Sequence, residues 1–260
     1  MSLDNNQTSK AFPYSSFMPF YFNGLGLSND ATTPLTLLDV AAGSCLDSTG
    51  TFQMTLAAPA VINIAVNGLN GLDTGTAAVS KVYAVYLVSD PVTQQPTGAM
   101  ISLNVTTPLL PFGYSAYSKI GYVVLDSSAH ILKAYWSDND SARRTMTLDA
   151  FISVGTTSTS ASYVNIDLTK FVPLINNLSV QVYASFTPGV AGNFLSLQAG
   201  NATGAQAIIT GQVASIAITG ISNILAQTVV ISTVPSPVIN YKNSGTDTVA
   251  LSVAGFTFDL

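Results

Sequence analysis

From Leu35 onward, short runs of β-branched, aromatic and aliphatic residues alternate with clusters of Gly, Asn, Asp and Pro: LTLLDV, FQMTL, AVINIAV, KVYAVYLV, AMISLNV, IGYVVL and HILKAYW. That rhythm predicts strands joined by turns. KVYAVYLV is apolar on both faces, with Tyr83, Val85 and Leu87 on one and Val82, Ala84, Tyr86 and Val88 on the other. A strand of that kind is covered on both sides and belongs in the middle of a sheet. NGLNGLDTG offers several positions able to take positive φ and predicts a structured turn. Further on, TMTLDAFISV sets Met146, Leu148, Ala150, Ile152 and Val154 on one face, and SVQVYASF does the same with Val180, Val182, Ala184 and Phe186. The closing run alternates through Val249, Leu251 and Val253, then changes phase so that Phe256 and Phe258 continue the apolar set, which predicts a bulge at Gly255. The expected fold is all-β: an extended N-terminal arm followed by two β-sandwich, jelly-roll-like domains.

The arm is read from AFPYSSFMPFYF, where Phe12, Tyr14, Phe17, Phe20, Tyr21 and Phe22 surround Pro13 and Pro19. The prolines oppose a helix, and so many aromatic rings are costly in water, so these residues are the candidate partner-binding set. They dock either on the arm's own domain or on another chain, and both remain open at this point. A polar, charged stretch after the only Trp, SDNDSARRTM, marks a composition shift. The resulting division is an arm at 1–24, an N-terminal β-domain at 25–137, a linker at 138–146 and a C-terminal sandwich at 147–260.

Charge sharpens this picture. Only 8% of residues are charged, against about 25% in an ordinary soluble domain. All thirteen acids are Asp; a chain without Glu has few solvent-facing helices. From Phe171 to Tyr241, 71 residues carry no Asp, Glu, Lys, Arg or His, yet no stretch without Asn, Gln, Ser or Thr exceeds five residues. That pattern is not a membrane span, which needs about 20 predominantly apolar residues. It suits a subunit buried in a larger assembly, and a homo-oligomer with an interface in 171–241 is expected. A net charge of −5 without a basic stripe argues against nucleic acid as a partner. The opening MSLDNNQTSK has neither a basic nor an apolar export region, so folding in the cytoplasm is expected.

No catalytic, cofactor-binding or metal-binding residue is expected. His130 is the only histidine and has no nucleophile motif beside it, so a structural role is expected. The Asp residues lie mostly in turn contexts rather than as a facing catalytic pair. Asp138, Asn139 and Asp140 lack the ligand spacing of a calcium loop, and the Gly-rich passages lack the Lys-Ser/Thr of a phosphate loop. Cys45 stands alone and is expected in a core. Tyr114, Tyr117 and Tyr163 are candidate stacking surfaces for a host glycan, although sheet packing is the commoner use of such residues.

Several of these turns and strand ends also carry a resemblance. LGLSNDATTPLTLLDVAAGSCLDST from Leu25, NGLDTG from Asn70, VYAVYLV from Val82 and TPLLPFGYSAYSKIGYVVLDSSAH from Thr107 resemble tail-fibre-type structural virion proteins of tailed bacteriophages. DLTKFVP at Asp167 and the final VAGFTF extend the likeness more faintly. In that family two or more basic residues commonly precede the Ile-Gly pair, whereas SAYSKIG keeps only Lys119. The resemblance implies a non-enzymatic virion component assembled in the host bacterial cytoplasm, usually oligomeric and often trimeric, bound to other virion proteins. Tail-fibre or fibre-anchoring subunit is the first expectation. A capsid decoration or head-fibre protein and a host-glycan-binding module are the alternatives.

Overall fold

The computed structural model describes residues 21–92, 95–140, 143–157, 160–176, 178–187, 195–199, 223–231, 237–243 and 248–260. Among them the strands are β1 (Phe22–Gly24), β2 (Leu27–Asn29), β3 (Leu37–Val40), β4 (Gly43–Leu46), β5 (Gln53–Leu56), β6 (Ala60–Asn63), β7 (Val82–Ser89), β8 (Gly98–Ser102) and β9 (Ala116–Val124). They continue with β10 (Ala134–Asp140), β11 (Arg143–Thr157), β12 (Ser160–Asp167), β13 (Leu178–Thr187), β14 (Leu195–Ala199), β15 (Asn223–Ile231), β16 (Val238–Asn243) and β17 (Thr248–Asp259). The fold is all-β, and among the described residues there is no α-helix.

An eight-stranded sheet runs β15-β13-β17-β11-β10-β2-β3-β6, accompanied by three three-stranded sheets, β1-β4-β5, β8-β7-β9 and β12-β16-β14. β7 is the middle strand of its sheet and all eight of its residues are buried, as its two apolar faces predict. Tyr83, Val85 and Leu87 enter one buried cluster, together with Leu38, Met54 and Ile62 from β3, β5 and β6. Val82, Ala84, Tyr86 and Val88 enter the other, together with Val180, Val182, Phe256 and Phe258 from β13 and β17. The protein is thus a stack of sheets around two cores, with β7 as the wall between them.

Of the stretch 138–146, expected as a linker, residues 138–140 lie on β10 and 143–146 on β11, where Asp138 pairs with Arg144 and Asp140 with Arg143. The eight-stranded sheet passes through this hairpin, joining β2 on one side to β17 on the other. The second core likewise draws on residues from Val82 to Phe258. The polar composition here belongs to paired strands of a sheet and not to an exposed connection.

The phase change near the C-terminus is a bulge. β13 pairs Gln181 with Gly255 and Val182 with Val253, leaving Ala254 as the extra residue. Val249, Leu251, Val253, Phe256 and Phe258 are all fully buried as a result. A Cβ on Gly255 would collide with the carbonyl oxygen of Met146 on β11, which explains glycine at this crossing. β11 keeps Met146 and Leu148 in the core but leaves Ala150 exposed, and Ile152 and Val154 pack only partly, because its register slips between Thr147 and Ile152. The turn read from NGLNGLDTG is ordered by long-range bonds: Asn70 N donates to Ala99 O, and Asp73 accepts from Ser102 Oγ at 2.5 Å and Leu109 N at 3.1 Å.

Part of the uncharged run from Phe171 to Tyr241 packs inside the protein. Among its described residues, Val172, Leu178, Val180, Val182, Ala184, Leu195, Leu197, Ile239 and Tyr241 are all buried in the second core. A strand that buries one face needs only hydroxyls and amides on the other to stay in water, so charge is dispensable there.

Candidate functional site: the arm root and its cleft

Of the six aromatic residues proposed for partner binding, Tyr21 and Phe22 are placed by the structure; Phe12, Tyr14, Phe17 and Phe20 lie outside the described residues. Phe22 opens β1, opposite Cys45 of β4, and Gly24 faces Gly43. The two strands approach so closely that a Cβ on Gly43 would strike the Asn23 carbonyl oxygen. Gly24 at φ 72° and Leu25 at φ 56° then turn the chain out of β1 toward β2. One step before β1, the Tyr21 carbonyl accepts from Leu46 N at 3.2 Å and its hydroxyl accepts from Ser44 Oγ at 3.3 Å. The inner end of the arm therefore docks on its own chain.

Arg144 fixes this root from beneath. Its side chain is 1% exposed. Nε donates to Asp138 Oδ1 at 2.6 Å, and Nη1 donates to the backbone oxygens of Leu25 at 3.0 Å and Ile120 at 2.7 Å. The guanidinium lies 4.8 Å from the centre of the Phe22 ring, a desolvated cation–π contact. Arg144 thus ties β1 and its exit to β9 and β10 through one planar group that only arginine supplies. Nη2 is buried with no partner among the described residues. Arg144 falls in the stretch expected as a linker, yet the sequence carries a signal for its burial: it has the same parity as Met146 and Leu148 and so shares their buried face.

Beside the root lies a cleft of about 780 Å³ whose walls include Tyr21, Phe22, Cys45, Leu46, Tyr86, Tyr117, Lys119, Ile175 and Leu260. Tyr86 and Tyr117 meet edge to face, with ring centres 5.8 Å apart, and the Tyr86 hydroxyl donates to Asn104 O at 2.9 Å. Burial pushes the Tyr86 hydroxyl well above the usual range for tyrosine. Lys119 stands 5.3 Å from the centre of the Tyr122 ring; burial lowers its pKa and Asp259 partly offsets this. The Cys45 thiol is pushed up to about 11, chiefly by burial, so at neutral pH it is a small apolar wall residue. At the rim, burial works against the Asp47 charge, but hydrogen bonds from Thr49, Phe52 and Thr51 together outweigh it and hold the carboxyl below its usual range. The lining mixes aromatic and aliphatic side chains with Asp47, Ser48, Thr49, Ser118 and the Lys119 ammonium.

The other sequence candidates are dispersed. His130 lies 3.7 Å from Asp126 with its side chain 43% exposed, and the Asp126 carboxylate accepts from the His130 backbone N at 2.9 Å, which makes it part of a surface turn. Asp138 is committed to Arg144. The tyrosines weighed for glycan stacking do not share a sheet: Tyr117 is on β9 and packs on Tyr86, Tyr163 is on β12, and the Tyr114 hydroxyl donates to Pro96 O at 2.9 Å in a loop.

No family model matches the chain, and no curated protein does. Among solved structures it is similar to the infectious bursal disease virus VP2 subviral particle, at 14% identity over 92% of this chain and 72% of that one, with a TM-score of 0.25. The structure of the Gx strain of the same virus is similar at 15% identity, with the same coverage and TM-score. Likeness this loose fixes neither topology nor role.

Proposed function

We propose that this chain is a non-enzymatic structural subunit of a tailed-bacteriophage particle, a tail-fibre or fibre-anchoring protein that attaches through its aromatic N-terminal arm. The observation that carries the reading is the rooting of that arm. Tyr21 and Phe22 are locked onto a rigid all-β body by β4 and Arg144, while four further aromatic residues precede them within nine positions. An aromatic segment on a firm base is what a partner pocket grips most effectively.

A second feature supports assembly with further copies. From Pro91 to Ser118 the sequence holds no charged residue. Within that span Phe112 is fully exposed and Leu109 is 62% exposed. The loop holding Phe112 is fastened by Tyr114 N to Pro111 O at 3.1 Å and by Ser115 Oγ to Asp90 Oδ1 at 2.7 Å. Rigid, uncharged and apolar surface fits contact between subunits of a homo-oligomer, with a trimer as the expected state. The virion is the expected location, after assembly in the bacterial cytoplasm.

Immunogold electron microscopy of intact particles, with antibody against the recombinant chain, tests this directly. Label at the tail is the expected result. Label over the head would instead make the chain a decoration or head-fibre protein, and unlabelled particles would overturn the virion reading and bring the glycan-binding module forward.

A further inference from the structure

We propose that the cleft beside the arm root binds an acidic saccharide, a sugar bearing a carboxylate, and that Lys119 is the group that receives the carboxylate. The site belongs to the β-body and does not depend on how the chain attaches to a particle.

The ammonium supplies the first argument. β9 and β7 pair Gly121 with Val85 and Lys119 with Tyr86, so Ile120 is an extra residue, and this bulge sets Lys119 against the Tyr122 ring instead of letting the alternation carry it elsewhere. Among the described residues no acceptor lies within hydrogen-bond distance of its nitrogen. The acidic side chain of the cleft wall cannot serve, because Asp47 is already committed: Oδ1 accepts from Thr51 N at 2.8 Å and Phe52 N at 2.9 Å, and Oδ2 accepts from Thr49 Oγ1 at 2.6 Å. A half-buried cation that the protein leaves without a hydrogen-bonded anion is a place for an anion from outside. One ammonium balances one carboxylate, whereas part of a phosphate dianion's charge would stay uncompensated against apolar walls.

The rest of the wall identifies what carries that carboxylate. The Tyr117 and Ser48 hydroxyls and the Asn176 amide line the same cleft and make no side-chain hydrogen bond among the described residues. The backbone groups beside them are spent, with Ser48 N donating to Tyr117 O at 2.7 Å and Leu46 N to Tyr21 O at 3.2 Å. An extended peptide, which binds by continuing a backbone ladder, finds no free ladder on those groups. A sugar ring needs none: its hydroxyls meet the side-chain hydroxyls and the amide, and its apolar face meets the aromatic and aliphatic walls. The cleft, at about 780 Å³, has the size of a small-ligand site.

The test is isothermal titration of the full chain with a galacturonic acid trisaccharide, with the methyl ester of the same trisaccharide, and with a tri-aspartate peptide. The acid form should bind, and the ester, which keeps the hydroxyls and loses the charge, should bind about tenfold more weakly or worse. Lys119→Met should weaken the acid form by about the same factor and leave the ester unchanged. Tyr117→Phe keeps the packing on Tyr86 and should weaken both sugars about threefold, which keeps the proposal decidable if the lysine variant misfolds. Absence of binding by the acid trisaccharide overturns the proposal. So does an ester that binds as tightly as the acid, or a folded Lys119→Met variant with undiminished affinity. Tri-aspartate binding as tightly as the sugar overturns the saccharide assignment, since the cleft then reads charge alone. No particle enters the readout, so failure here is distinct from failure of the attachment role.

Discussion

The hairpin β10–β11 carries an ion pair at each end, and the two differ in nearly everything except charge. Near the turn Arg144 meets Asp138 at 2.6 Å, with the arginine 1% exposed. At the far end Lys133 meets Asp149 at 3.3 Å, with the side chains 60% and 40% exposed. Arg144 serves as a structural member. It satisfies two backbone carbonyls from distant segments and carries the arm root on its face. Lys133 and Asp149 decorate the surface, where solvent and salt screen the attraction. In a chain with eight basic residues, burial rather than proximity decides which of them matters.

The sharpest way to break this comparison is to remove the arginine. Arg144→Ala leaves the Leu25 and Ile120 carbonyls buried without a donor and opens a void under Phe22, so it should cost about 3 kcal/mol of unfolding free energy. A urea denaturation midpoint unchanged from wild type would show that the clamp is ornamental. Cys45 then provides a case of burial with no ion partner. Its folded pKa, about 11, lies above the unfolded value near 9.0, so the native state holds its proton more tightly. Stability from this group is complete below pH 9 and is lost as pH rises toward 11, with a loss of roughly 2 kcal/mol. The same titration on Cys45→Ala should be flatter across that window, and parallel curves would refute the assignment.

Asp138→Asn should cost less than the arginine change, about 1 kcal/mol, because the aspartate is half exposed and asparagine still accepts from Nε. The smallest effect belongs to the outer pair. The Tyr135 hydroxyl first, and then Lys133, lower the Asp149 pKa, so its contribution is present above the unfolded carboxylate range and is lost as pH falls through the folded value. Both partners are solvated, and Asp149→Asn is expected to leave the neutral-pH midpoint where it was. A clear loss that disappears in high salt would show the surface pair to be stronger than its exposure implies.

Much of the fold was legible because it rests on parity. The two apolar faces of 82–88 placed β7 between cores, and the phase slip at Gly255 marked its bulge. The hairpin at 138–146 was misread because composition averages over both faces of a strand. Two Asp, an Asn and two Arg look like solvent, while the alternation running back from Met146 already put Arg144 inside. The cleft was not legible at all. Its walls come from segments near 21, 46, 86, 117, 175 and 260, and only the packing of sheets brings these together. Length without charge was likewise ambiguous from sequence, since 171–241 reads the same whether it faces a neighbour or its own core.

The central claim, that the arm is an attachment element carried by a body that folds without it, is tested most directly by co-sedimentation with phage particles lacking this chain. The full chain and the chain beginning at Tyr21 would be compared, with denaturation midpoints measured on both. The account predicts similar midpoints, particle binding by the full chain, and loss of binding by the shortened one. Equal binding by both would contradict it and move attachment to the β-body.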